Sequence, residues 1–152
     1  MEGVTDRRGT MYHNIIVGTD GSDGGTLAVD HAAALARLTG GTLHLVQGCG
    51  SPILSAPMYG EVPAIDVHQV IEACKAELEP LATRLRATGI DVDVHVIAAS
   101  GHAALCDTAE SLGADLIVVG NRGMTGARRF LGSVPNSVAH HAPCSVLIVH
   151  TN

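Results

Sequence analysis

The stretch DLIVVGNRGMTGARRFLGSVPNSVAHHAPCSVLIVH, residues 115–150, contains one complete strand–loop–helix–strand unit. Residues 115–119, DLIVV, are an apolar run suited to a central strand, and residues 145–150, SVLIVH, are a second strand. Between them lie a glycine-rich loop over 120–133 and a helix that opens at Ser133 and ends near His141. Two apolar strands joined through a helix are typical of a parallel sheet with helices on its faces.

The same alternation extends upstream to His13. Glycine and aspartate residues over 20–25 predict a turn, and Pro80 predicts a kink or a break near Leu78. Three prolines make 48–66 a loop, whose length indicates a lid or a disordered segment. The remaining predicted elements are strands over 14–19, 42–47 and 91–98, the last with the polar alternation of an edge strand, and helices over about 26–38, 67–88 and 102–112.

Five strands and four helices in strict alternation predict a single-domain α/β fold. Right-handed crossovers leave an open doubly wound five-stranded parallel sheet with helices on both faces as the best arrangement. Ligands of such sheets bind outside the carboxyl ends of the strands. The loops over 18–25 and 120–133 are therefore the expected binding loops.

Composition restricts the class of protein. Hydrophobic residues make up 46% of the 152 residues but aromatic residues only 2%, and the formal charge of -6 disfavours nucleic acid as a partner. We expect a disordered leader over 1–10 ahead of one domain over 11–152. Since there is neither an apolar run of roughly 18 residues nor a signal core, we expect no membrane association and a cytoplasmic location. The four cysteines form no C-x-x-C pair, and we expect buried free thiols.

The glycine-rich loop has the features of an anion site. Its glycines let backbone N–H groups approach an oxyanion, and the helix that follows offers donors and the positive end of its dipole. Ser133 can cap that helix or donate to a phosphate, and Pro135 is tolerated in a first turn. Three arginines in an acidic chain favour an anionic ligand. The alternative is a tight turn with solvated arginines.

These segments resemble the universal stress proteins, in particular their nucleotide-binding branch. That branch carries G-x2-G-x9-G-[ST] after the fourth strand, whereas this chain reads Gly120-x2-Gly123-x8-Gly132-Ser133, one residue shorter in the second spacer. The resemblance covers about residues 11–151 and includes IIVGTDGS, ADLIVVGNRG and RFLGSVPNSVAHHAPCSVLIVH.

The resemblance implies a strand order of 3-2-1-4-5 and an adenine nucleotide, ATP first, with or without Mg²⁺, and AMP or cyclic AMP as alternatives. The phosphates would rest on the loop, Asp20 would lie near the ribose, and Gly18 and the Val46 backbone would border the adenine. It also implies a homodimer through the last strand, 145–150. The full set of implied nucleotide-binding residues is Gly18, Thr19, Asp20, Val46, Gly120, Asn121, Arg122, Gly123, Met124, Gly126, Gly132, Ser133 and Val134.

Two function classes remain: a stress-response regulatory module that acts through its dimer or a protein partner, and a slow ATP hydrolase. The sequence favours the binding module, because it shows phosphate donors without a general base or lysine. Neither G-x-G-x-x-G nor a P-loop motif occurs, and no acceptor aspartate follows strand three as a receiver domain requires. His140, His141 and Cys144 lie where side chains diverge, and the other histidines lack metal-ligand spacing, so no metal site is predicted.

Overall fold

The computed structural model describes residues 11–20, 23–50, 66–121 and 134–151, and the chain alternates between strands and helices throughout them. The elements are β1 (Asn14–Gly18), α1 (Asp23–Thr39), β2 (Thr42–Gly48), α2 (Val67–Arg86), β3 (Val92–Ile97), α3 (Gly101–Leu112), β4 (Leu116–Gly120), α4 (Val134–His141) and β5 (Ser145–Val149). Each strand begins and ends within a few residues of its predicted bounds. The leader over 1–10 and most of the 48–66 loop lie outside the described residues.

The five strands form one parallel sheet in the order β3-β2-β1-β4-β5. This order confirms the predicted one. The chain moves outward from β1 to β3, then returns to β4 on the other side of β1. Strand order therefore reverses between β1 and β4, which is where a doubly wound sheet opens a crevice at its carboxyl edge.

Helices cover both faces of the sheet, as predicted. On one face, which we call the first core, α1 and α2 pack on side chains such as Val17 and Leu45. On the other face, the second core, α3 and α4 pack on Ile16, Val46 and Ile117. Because successive strand side chains alternate between faces, the apolar strands supply both cores at once.

Two local predictions were wrong, the start of the first helix near Thr26 and the break near Leu78. Helix α1 begins at Asp23 rather than near Thr26, so glycines assigned to a turn lie in its first turn. First-turn N–H groups have no helical partner, and glycine there lets the helix approach the end of β1. Helix α2 runs continuously through Pro80, because Leu78, Ala82 and Leu85 are buried against the sheet while Pro80 faces solvent.

The cysteines required a further correction. Cys49, Cys74, Cys106 and Cys144 are free, but all four are half-buried rather than buried. Cys106 and Cys144 are partly buried and pack against the second core. Within the described part of the chain, no helix is both long and apolar enough to cross a membrane.

Candidate nucleotide site

A cavity of about 180 Å³ lies at the carboxyl edge of the sheet, at the crossover between β1 and β4. This volume is several times the roughly 30 Å³ that one water molecule occupies in the liquid, so the cavity can hold part of an organic ligand. Its lining consists of strand ends and first helical turns: Gly18, Thr19, Asp20, Gly25, Val46, Gln47, Gly48, Gly101, Leu105, Val119, Gly120, Val134 and Pro135.

The floor of the cavity depends on a glycine at the end of β1. A Cβ added to Gly18 would lie 3.0 Å from Leu105 Cδ1 and 3.6 Å from Val119 Cγ1. Any larger residue would therefore fill the space between β1 and α3. The chain then crosses toward β2, where the Thr19 N–H donates to the Val46 carbonyl at 3.1 Å. This hydrogen bond fixes the backbone of Val46 at the cavity wall.

Asp20 lies beside the first turn of α1. A Cβ added to Gly25 would lie 3.2 Å from both Asp20 Oδ1 and Thr19 Oγ1, so both side chains reach the helix backbone at this point. Glycine at position 25 makes this close approach possible. The carboxylate is placed at the cavity, where it can accept hydrogen bonds from hydroxyl groups.

The opposite wall is built where β2 and β3 meet the start of α3. A Cβ on Gly48 would lie 2.7 Å from the Ala99 carbonyl oxygen and 2.8 Å from that of Ser100, so only glycine fits between these backbones. Ser100 caps α3 by accepting from the Ala103 N–H at 3.4 Å. Helix α3 thus begins directly at the cavity.

Three helices direct their N-termini toward the same cavity. Gly25 lies in the first turn of α1, Gly101 begins α3, and Val134 begins α4. The last two starts touch, since a Cβ on Gly101 would lie 3.1 Å from Val134 Cγ2. The positive ends of the three helix dipoles favour an anion at this point.

The structure brings together six of the residues that the sequence predicted for the site. Gly18, Thr19, Asp20, Val46, Gly120 and Val134 all line the cavity. Arg122, Gly123, Met124, Gly126, Gly132 and Ser133 lie outside the described residues. The loop that carries them must nevertheless leave Gly120 and return at Val134, and both of these line the cavity.

Asn121, which the sequence also predicted for the site, contacts the end of β5. Its side-chain oxygen accepts hydrogen bonds from the Thr151 N–H at 2.9 Å and from the Thr151 hydroxyl at 2.8 Å. Its own N–H donates to the Val149 carbonyl at 2.9 Å. Asn121 therefore joins the ends of β4 and β5, and it is not among the residues that line the cavity.

Sequence reasoning placed Gly25 in an expected binding loop without assigning it to the site, and it missed the other lining residues: Gln47, Gly48, Gly101, Leu105, Val119 and Pro135. Most of them follow the carboxyl end of a strand or begin a helix. The rule that ligands bind at these ends could have identified Gln47 and Gly48 once β2 was placed. Leu105 carries no such signal, since an apolar residue on an amphipathic helix is indistinguishable from core.

The chain matches the universal stress protein family over residues 11–150. It is 34% identical over 150 residues to a universal stress protein of Mycobacterium tuberculosis, an alignment that covers 93% of this chain and 99% of that protein. A universal stress protein of Methanocaldococcus jannaschii is 29% identical, with 91% and 82% covered.

Solved structures give the same result. The crystal structure of a universal stress protein in complex with cAMP is 30% identical, with a TM-score of 0.68, and covers 94% of this chain and all of that one. The universal stress protein of Archaeoglobus fulgidus in complex with dAMP is 24% identical, with a TM-score of 0.65 and coverage of 91% and 98%, a likeness of fold. By family match, sequence identity and fold, this chain belongs to the universal stress protein family.

Proposed function

We propose that the protein binds an adenine nucleotide at the carboxyl edge of its sheet and acts as a stress-response regulatory protein. The observation that carries this proposal is the convergence of three helix N-termini, at Gly25, Gly101 and Val134, on one cavity. A phosphate is the anion that such an arrangement binds best in a protein of this fold.

The rest of the cavity suits a nucleoside. Gly18, Leu105 and Val119 offer an apolar surface for a base, and Val46 lines the same cavity. The Val46 carbonyl already accepts from Thr19, and its second lone pair can accept from an exocyclic amine. Asp20 can accept from ribose hydroxyls. We assign the phosphates to the loop from Gly120 to Val134.

ATP is the first candidate ligand, with Mg²⁺ as its companion ion. Cyclic AMP is the second, and two observations favour it: a relative 30% identical to this chain was solved in complex with cAMP, and the spacer between Gly123 and Gly132 is one residue shorter than in the ATP-binding pattern. A shorter loop has less backbone with which to surround a terminal phosphate. AMP shares this argument.

Thermal unfolding in the presence of 1 mM ATP, AMP or cyclic AMP tests the proposal. A ligand present at a hundredfold excess over its Kd stabilises the folded state by about 2.7 kcal/mol. We expect at least one of the three to raise Tm, and Asp20→Asn and Gly123→Val each to remove most of the shift. Asp30→Asn, an exposed carboxylate on α1 away from the cavity, is the matched control and should keep the shift.

The outcomes separate the candidates. A shift with ATP that requires Mg²⁺ supports the triphosphate, and a shift with cyclic AMP alone supports the second candidate. Unchanged melting with all three would refute nucleotide binding. Multi-turnover release of phosphate from ATP, lost in Asp20→Asn, would favour the hydrolase instead.

The remaining assignments belong to the same proposal. We place the protein in the cytoplasm as a homodimer joined through 145–150, where β5 forms one edge of the sheet. Among the residues that line the cavity in the described part of the chain there is no lysine or histidine, which favours regulation by binding over rapid hydrolysis.

A further inference from the structure

A second group of polar side chains lies on the second-core face of the sheet, on the paired strands β2 and β3. His44 projects from β2, and Asp93 and His95 project from β3. The strand register places His44 opposite Asp93 and Val46 opposite His95, so all three side chains share one face. None of the three lines the nucleotide cavity.

We propose that His44, Asp93 and His95 form a binding site for a divalent transition metal, Zn²⁺ in the first place. One ligand atom from each of the three residues lies within 4.8 Å of the other two. Two imidazoles and one carboxylate with a remaining open position are a recurring ligand set for zinc and for iron in proteins.

The distances fit an ion with little movement. His44 Nδ1 lies 3.0 Å from His95 Nε2 and 3.8 Å from the Asp93 carboxylate. Metal–ligand bonds of roughly 2.0 to 2.2 Å in a tetrahedron separate adjacent ligand atoms by about 3.4 Å. To reach this value, the distance from His44 to His95 must lengthen and the distance from His44 to Asp93 must shorten, each by a few tenths of an ångström. Rotation of the side chains supplies these changes.

Asn14 orients the ring of His44, the buried member of the proposed ligand set. His44 Nε2 lies 3.2 Å from Asn14 Oδ1, and since an amide oxygen only accepts, Nε2 carries the ring hydrogen. The Nδ1 lone pair then points toward His95 and Asp93. In most metal sites the second ring nitrogen of a ligating histidine donates a hydrogen bond to an oxygen. That bond fixes the orientation of the ring and its tautomer.

The surroundings of both rings disfavour the protonated imidazolium. Burial lowers the pKa of His44, assisted by the neighbouring His95, and burial lowers the pKa of His95 as well, although Asp93 opposes the change in both. Neutral imidazole is the form that binds a metal. His95 would move its remaining hydrogen from Nε2 to Nδ1 as the ion enters.

The site is open on one side. The Asp93 side chain is 64% exposed, whereas that of His44 is 5% exposed. The ion can therefore enter past Asp93 and keep a water as its fourth ligand. The two histidines are neutral when they bind the ion. The carboxylate of Asp93 is therefore the group of this set that offsets the charge of the ion.

Metal titration of the full, untagged chain tests the site. After treatment with EDTA and buffer exchange, Co²⁺ is added while visible absorbance is followed, and Zn²⁺ is then added in competition. We expect one ion per chain, d–d bands of a tetrahedral or five-coordinate site, and displacement by Zn²⁺ but not by Mg²⁺.

Two variants test the ligands, and a third is their control. Asp93→Asn and His95→Gln should each weaken Co²⁺ and Zn²⁺ binding by at least about tenfold. The exposed histidine of α1 provides the matched control, since His31→Gln removes an imidazole elsewhere and should leave binding unchanged. Asp93 is exposed, so Asp93→Asn keeps the fold and the test remains valid even if His95→Gln unfolds.

Two results would overturn the proposal: no Co²⁺ or Zn²⁺ binding up to 1 mM, or binding that is equal in the wild type, Asp93→Asn and His95→Gln. The nucleotide proposal is independent of either result, because its melting shift depends on Asp20 and the 120–134 loop. Repeating the ATP, AMP and cyclic AMP melts on Asp93→Asn shows that the two sites are separate.

Discussion

At the scale of single residues, packing changes the chemistry of groups that the sequence leaves ordinary. Burial raises the pKa of the Cys106 thiol, with a contribution from Asp107, and burial raises that of Cys144, with contributions from Asp115 and Cys106. Both thiols lie against the second core. Their thiolate forms are disfavoured, and the thiolate is the reactive species.

We predict that Cys106 and Cys144 are alkylated more slowly at pH 8 in the folded protein than in urea. Folding raises these pKa values above the ordinary 9.0, so the associated stability is present below that pH and is lost as pH rises through the raised values. Isotope-coded iodoacetamide followed by mass spectrometry measures each thiol. Equal labelling rates in the folded and unfolded protein would contradict the prediction.

At the scale of elements, one arginine joins the end of α2 to the edge strand β3. The Arg86 guanidinium donates to the Val92 carbonyl through Nε at 3.1 Å and Nη2 at 2.9 Å. A third hydrogen bond runs from Nη1 to Glu79 at 2.7 Å. An edge strand has only one neighbouring strand, so this contact helps fix where β3 begins.

We predict that Arg86→Ala lowers the free energy of unfolding by about 1 to 2 kcal/mol, because charged hydrogen bonds to a backbone carbonyl are lost at a half-exposed site. Arg86→Lys should keep only part of this free energy, since lysine lacks the planar guanidinium group that makes the paired hydrogen bonds. Urea unfolding gives the values. Arg84→Ala, which removes an exposed cation of the same helical turn, should change stability by less than about 0.5 kcal/mol.

At the scale of the whole molecule, β5 forms the edge of the sheet opposite β3. Val149 is buried and Val146 packs on the second core, whereas Leu147 and Ile148 remain 36% and 43% exposed. An edge strand with exposed apolar side chains is a ready surface for pairing with another strand. Pairing with a second copy about a two-fold axis covers it symmetrically.

We predict that the protein has twice the mass of its 15.6 kDa chain in solution and that Ile148→Lys shifts the mass toward one chain. The lysine would place a charge at the centre of the proposed contact, and pairing of the two strands would remove water from that charge. Light scattering coupled to size exclusion measures the mass. Leu38→Lys is the control, because Leu38 is 84% exposed on α1 and should leave the mass unchanged. A monomeric wild type would refute the dimer.

Much of the fold could be read along the chain, because its signals are local. Alternating strand and helix periods gave the element order, and the glycines at 18 and 120 marked the carboxyl ends of the two strands that flank the crevice. Local signals failed where tertiary contacts opposed them. Burial of one face of α2 outweighed Pro80, and the close approach of Gly25 to Asp20 outweighed the turn pattern.

The sequence alone determined the α/β class and the family, because hydrophobic periodicity and glycine spacing are properties of short segments. Only the tertiary structure decided that His44 Nδ1 lies 3.0 Å from Nε2 of His95, which is 51 residues further along the chain. The same holds for the close approach of Gly48 to the carbonyls of Ala99 and Ser100. Such contacts depend on which strands pair and in what register. Register is set by the packing of two complete cores, and no single segment contains that information.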